Sequence, residues 1–202
     1  MSGKRRPMRA DPRPARPTPV LRGRLVTLRP PVAEDADAAR RIGLHPEIER
    51  QFGVQPEAEW RELTPEESQE LLSALAATED RMTWVVDSGG GFIGSASLHS
   101  FGEDGSSAAY AVGLLDPAVL GHGLGTEVTR LVLAHAFEKL GLLELTVRVL
   151  ESNSRAISCY TRCGFSFLCR EPDAVTLDGV SHADLIMRLE VEQYRTLAPA
   201  WI

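Results

Sequence analysis

Apolar positions along this chain recur with two different periods, and the switches between them lay out an order of elements. Period-two or β-rich stretches occupy 24–29 (RLVTLR), 82–87, 91–100, 108–115 (AAYAVGLL), 143–149 (LELTVRV), 165–170 and 182–190. Ser88-Gly89-Gly90 reads as a hairpin turn and Leu177-Asp178-Gly179-Val180 as a second turn. Helical spacing covers 34–43 and 64–77, the latter announced by Thr64-Pro65-Glu66-Glu67: an N-cap, proline at the first helical position, acids in the first turn. It returns after Gly123, where Val128, Leu131, Val132, Ala134, Phe137 and Leu140 share a face, and in a short helix after Asn153. Residues 45–64 show neither period. The succession predicts a single α/β domain with a mixed sheet over residues 23–202. At 202 residues and 43% hydrophobic content the chain suffices for one sizeable core.

Charge is unevenly placed. Residues 1–22 carry Lys4, Arg5, Arg6, Arg9, Arg13, Arg16 and Arg22 against Asp11 among many prolines, with no apolar payload, so a disordered tail is expected there. No hydrophobic stretch follows Arg5-Arg6 to make an export signal, and no apolar run approaches a membrane span, which points to a cytoplasmic chain without a membrane partner. The remainder holds 15 basic and 27 acidic residues, an argument against a nucleic-acid surface. The same excess suits a cationic acceptor or serves only solubility. Cys159, Cys163 and Cys169 have no histidine partners at zinc-ligand spacing, and the five histidines are scattered, so free thiols and no metal are expected. The apolar end, Leu197-Ala198-Pro199-Ala200-Trp201-Ile202, suits either the chain's own core or a homodimer contact.

The candidate chemistry centres on Gly121-His122-Gly123-Leu124-Gly125-Thr126, between a strand and a long helix. Amides at a helix start lack intrahelical acceptors and sit at the positive end of the dipole, so such a turn can cradle a phosphate. The G-x-G-x-x-G dinucleotide spacing fails in both registers, at Thr126 and at Val128, and no lysine is present for a P-loop. A plain flexible turn is the competing reading. Downstream stands Asn153-Ser154-Arg155-Ala156, then Tyr160 and Gly164-Phe165.

With that second motif the chain resembles the GNAT superfamily of acyl-CoA-dependent N-acetyltransferases, whose pattern is strand, G-x-G turn, helix, strand, then N-x-x-A-x-x-x-Y-x-x-x-G-F. Pro117, Gly121, Gly123 and Thr126-Glu127, with the opening Arg24-Leu25-Val26-Thr27-Leu28-Arg29-Pro30, are similar to the branch of ribosomal-protein N-terminal acetyltransferases. One departure is Leu120, where the family usually has Arg or Gln. The resemblance implies a mostly antiparallel sheet with two splayed parallel strands and flanking helices, and acetyl-CoA as cosubstrate. Its pantetheine arm would meet the backbone of Leu114 and Leu115. Its pyrophosphate would meet the amides of His122, Gly123, Leu124, Gly125 and Thr126.

Asn153 is expected to bond the cofactor or the splayed strand besides capping its helix. Tyr160 is the expected general acid for the leaving thiolate, with a core role as the alternative. The implied reaction is direct acetyl transfer to a primary amine, of a protein N-terminus or a small molecule. No base is assigned: Arg148 occupies the position of the glutamate found in some relatives, and Glu151, Glu144, Glu47 and Glu49 are the acids within reach in sequence. A CoA-binding regulator without turnover, and an interaction protein that uses the turn only for folding, are the competing functions.

Overall fold

A computed structural model describes residues 17–56, 59–77, 80–89 and 91–201. The chain runs β1 (Leu21–Arg22), β2 (Thr27–Arg29), α1 (Asp35–Ile42), α2 (Pro46–Gln51), α3 (Pro65–Ala76), β3 (Arg81–Asp87), β4 (Phe92–His99), β5 (Ser107–Leu114), α4 (Leu124–Ala134), β6 (Glu144–Leu150), α5 (Ser154–Arg162), β7 (Ser166–Leu177), β8 (Val180–Glu190) and α6 (Val191–Leu197). One eight-stranded sheet has the order β1-β2-β3-β4-β5-β6-β8-β7, antiparallel throughout except for the pair β5 and β6. That parallel pair is joined through α4, as a same-sheet parallel connection requires.

Helices cover both faces of the sheet. Alternation sends Met82, Trp84 and Val86 of β3 to the face under α4, where they join Tyr110, Val128, Val132 and Leu145 in the main core. Val85 points the other way, into a smaller cluster with Ala39, Leu63 and Phe92 beneath α1 and α3. The start of α3 is a full capping box: the Glu67 amide donates to Thr64 Oγ1 (3.1 Å) and the Thr64 amide to Glu67 Oε2 (2.8 Å).

The tertiary structure revises several boundaries. The expected strand over 24–29 is broken, because Glu127 in the first turn of α4 accepts the amides of Arg24 and Leu25, leaving only Thr27–Arg29 in the ladder. The tail expected over 1–22 does not extend to 22: Leu21 and Arg22 pair with Leu28 and Thr27, and Trp84 Nε1 donates to the Pro19 carbonyl (2.8 Å). Residues 1–16 of that tail lie outside the described residues. Beyond β8 the chain turns into α6 and packs on α4 and the π-helical turn that continues it (His135–Lys139), with Tyr194 against Phe137 (centroids 4.9 Å) and Trp201 under the Arg130 guanidinium (4.9 Å).

Candidate active site

The glycine turn opens α4 as its spacing predicts. Gly121 and Gly123 both have φ +82°, a region that costs other L-residues strain. The first helical bond runs from the Glu127 amide to the Gly123 carbonyl (3.1 Å), so the amides of Leu124, Gly125 and Thr126 are left without helical acceptors. No side chain caps this end. A Cβ built on Gly121 or Gly123 meets no protein atom within 4 Å, and one on Gly125 meets only Cys159 Sγ at 3.8 Å. Three donors thus face space that the protein does not fill, the geometry of an anion cradle.

The cradle borders a cleft of about 2130 Å³ that passes through the sheet. β5 and β6 pair only from Ser107↔Glu144 to Tyr110↔Val147. Further along, each strand keeps its outer neighbour, Leu114 opposite Gly94 and Leu150 opposite Asp184, while the inner edges part. Leu115 donates its N–H to the Ile93 carbonyl (2.9 Å). By the alternation of an antiparallel ladder, the backbone groups of Val112 and Leu114 therefore face the gap. Leu115, from which a contact is also expected, has its donor spent on β4 and its side chain packed with the cluster on the far side of the sheet. Val112 takes its place as the second residue with backbone toward the gap. The cleft lining takes in Leu114, His122, Gly123, Leu124, Gly125, Thr126, Asn153 and Tyr160, but not Leu115.

Tyr160 is 5% exposed, edge-on to Tyr110 (6.3 Å) and Phe165 (5.7 Å). Burial pushes its phenol well above the usual range, so it carries its proton at neutral pH. The side chain is packed in the core and also lines the cleft. Asn153 caps α5, its Oδ1 accepting from the Ala156 amide (3.0 Å), and its Nδ2 donates to the Gln51 carbonyl (3.4 Å). The side chain thus ties α5 to α2.

Beneath the cradle, Cys159 Sγ lies 3.5 Å from Thr126 Oγ1 and 3.9 Å from Thr129 Oγ1. The neighbouring Cys163 thiol and the two threonines, opposed by burial, lower the Cys159 thiol below its usual range. The same interaction holds the proton on Cys163.

The opposite face of the gap has a different character. Ala109, Ala111 and Gly113 alternate with Tyr110 and Val112 to make a small-residue floor, and a Cβ at Gly113 would come within 2.6 Å of the Phe52 ring. Phe52 follows α2, which spans the opening. It is held on one side by Arg50 and Gln55 to Asp178 (2.5 and 2.8 Å), on the other by Glu47 to Arg155 (3.0 Å) and by Asn153. Arg148 stands on this face between Glu171 (2.6 Å) and Asp184 (3.1 Å).

Among the acids within sequence reach of a base role, Glu151 pairs with Arg170 (2.8 Å), Glu144 with Arg188 (3.6 Å) and Glu47 with Arg155. Glu49 keeps a buried Oε2 with no hydrogen-bond partner among the described residues. The α2 roof was invisible to periodicity, though Pro46 at its first position followed by Glu47 and Glu49 was a usable start signal. Among the described residues no group of three His, Cys, Asp or Glu could hold a metal ion, and no helix is long and apolar enough to cross a membrane.

Comparison with known proteins agrees with this arrangement. A mycothiol acetyltransferase from Catenulispora acidiphila is 39% identical over 67 residues, 33% of this chain and 21% of that protein, so the chain spans about a fifth of its length. A GCN5-related N-acetyltransferase from Brucella melitensis shares the fold with a TM-score of 0.77 at 18% identity, over 94% of this chain and 86% of that one. Spermidine N-acetyltransferase from Vibrio cholerae, solved with CoA and spermine, gives 0.70 at 19% identity, over 85% and 98%. A family model described as the acetyltransferase (GNAT) domain matches residues 25–166, from the loop before β2 through the cradle, the splayed strands and Tyr160 to the start of β7. The chain therefore belongs to the GNAT acetyltransferase family.

Proposed function

We propose that the protein transfers an acetyl group from acetyl-CoA to a primary amine by direct attack. The observation that carries this reading is the amide cradle opening onto a gap between β5 and β6, with Tyr160 lining the same cleft. When bound, acetyl-CoA supplies an acyl thioester. The amides of Leu124, Gly125 and Thr126 would hold its pyrophosphate, and the backbone of Val112 and Leu114 its pantetheine amides. The acceptor would enter from the other face, over Ala111 and Gly113 and under Phe52. Tyr160, kept protonated by burial, would give its proton to the departing sulfur. Holding both reactants in one cleft supplies much of the rate advantage without a covalent enzyme intermediate.

The acceptor is a small-molecule or protein N-terminal amine, and the opening motif favours the ribosomal-protein branch. Three free cysteines fit a reducing cytoplasm. A second reading, a CoA-binding regulator without turnover, is favoured by Arg148, which stands ion-paired on the acceptor face and cannot serve as a base. Calorimetric titration with acetyl-CoA, with NADH and ATP as controls, tests the cofactor, and release of CoA thiol with a panel of peptides and polyamines tests turnover. Saturable binding of acetyl-CoA alone, followed by amine-dependent thiol release, is expected. No binding overturns the assignment, whereas binding without release under any amine selects the regulator.

A further inference from the structure

The glycine turn carries no cationic side chain: positions 120–126 are Leu, Gly, His, Gly, Leu, Gly and Thr. The chain as a whole has a formal charge of −6, a field that opposes a polyphosphate ligand. A cation close to the cradle would answer both, and the fold brings one there from a hundred residues away.

The loop between β1 and β2 is pinned to the first turn of α4. Glu127 Oε2 accepts the Leu25 amide (2.9 Å), and its Oε1 accepts from Arg24 as well. The packing is close enough that a Cβ on Gly23 would lie 2.4 Å from Glu127 Oε1. This has two effects on the cradle. The carboxylate, which in the first turn would repel a bound anion, is spent on backbone donors. Arg24 is at the same time fixed beside the turn, and it lines the same cleft as Gly121, Gly123 and Thr126.

The Arg24 side chain makes no ion pair among the described residues. Among the other arginines of the cleft, Arg148 is paired with Glu171 and Asp184, Arg155 with Glu47 and Arg195 with Glu192, while Arg130 stacks over Trp201 with its Nε buried and unpartnered among the described residues. Arg162 donates to Ser158 on its own helix (3.2 Å).

We propose that Arg24 supplies the side-chain cation for the pyrophosphate of acetyl-CoA, completing a cradle otherwise made of backbone amides. The inference rests on the reading of the glycine turn as the cosubstrate's seat. Calorimetric titration of the full chain with acetyl-CoA and with its 3′-dephospho analogue separates the possible contacts. Arg24→Ala is expected to weaken both ligands about tenfold, the lower end for a charge-assisted contact at an exposed site. Arg24→Lys should recover most of that loss, and Leu120→Arg in the Arg24→Ala background should restore affinity from the other side of the turn. A thermal melt checks that the exposed substitution leaves the fold intact.

Unchanged affinity in Arg24→Ala would overturn the proposal. So would a loss seen with acetyl-CoA and absent with the dephospho analogue, because Arg24 would then read the ribose phosphate. Failure of the wild-type chain to bind either ligand would instead remove the cosubstrate reading itself, and this contact with it.

Discussion

Gly123 and Gly141 flank α4 with its π-helical continuation over His135–Lys139, and make a matched pair for testing the anion cradle. Both have positive φ, +82° and +71°, and a Cβ on either meets no protein atom within 4 Å. Alanine at each therefore carries the same penalty, about 1–2 kcal/mol for a left-handed conformation. It is offset by about 0.4–1 kcal/mol from the reduced freedom of the unfolded chain. A net loss of about 1 kcal/mol lowers Tm by about 2–4 °C in a chain of this size. That strain is present with and without ligand and cancels from the affinity.

Only at Gly123 does the new methyl project where a phosphate would sit. Losing one charge-assisted amide contact costs about 1.5–3 kcal/mol, which corresponds to roughly 10–100-fold in Kd. Scanning fluorimetry should thus find Gly123→Ala and Gly141→Ala similarly destabilised. Calorimetry with acetyl-CoA should separate them, Gly141→Ala binding like the wild type and Gly123→Ala far more weakly. Equal affinity in the two variants would refute the cradle, since the open space at Gly123 would then hold no part of the ligand.

Two further outcomes follow from the same cleft. Tyr160→Phe should lower turnover by about two to four powers of ten while leaving acetyl-CoA affinity unchanged, because the hydroxyl acts on the leaving sulfur; a loss of thermal stability with normal turnover would return Tyr160 to a packing role. Cys159 has its thiol held below the usual range by Cys163 and the two threonines. Its alkylation by iodoacetamide should therefore inflect at a lower pH than that of a free thiol and fall about tenfold per unit below the inflection. Acetyl-CoA should slow it, and Cys163→Ser should move the inflection up. A rate that still climbs between pH 7 and 9 would show that Cys163 and the threonines do not hold the thiolate.

Local signals in the chain carried a good deal of this. The Thr64 capping box, the glycine turn before α4, the Asn153 cap and the period of the β3–β4 hairpin are all contacts within a few residues, and each was legible because propensity and capping act at that range. The GNAT pattern joined two such signals, and the parallel pair β5–β6 with its splay lies where that pattern implied. Leu115 shows the limit. Periodicity could place it near a strand end, but which neighbouring backbone groups face the gap depends on the register with β4, and a one-residue difference reverses the answer.

What only the tertiary structure decided rests on partners far apart in sequence. Glu127 takes the amides of Arg24 and Leu25 across about a hundred positions, and so breaks a strand that the apolar pattern runs straight through. The roof α2 is six residues long, too short to announce itself by period or to stand alone, and it is held by Asp178, Arg155 and Asn153 from two other elements. Arg148 reads in sequence as a missing base, and only the folded sheet sets it between Glu171 and Asp184. The sequence by itself determined most of the elements, their order and the glycine turn that opens α4, since each arises from near neighbours along the chain. Register, the roof over the acceptor face and the pairing of charges in the cleft came from long-range contacts, whose energies outweigh local preference and leave no periodic trace.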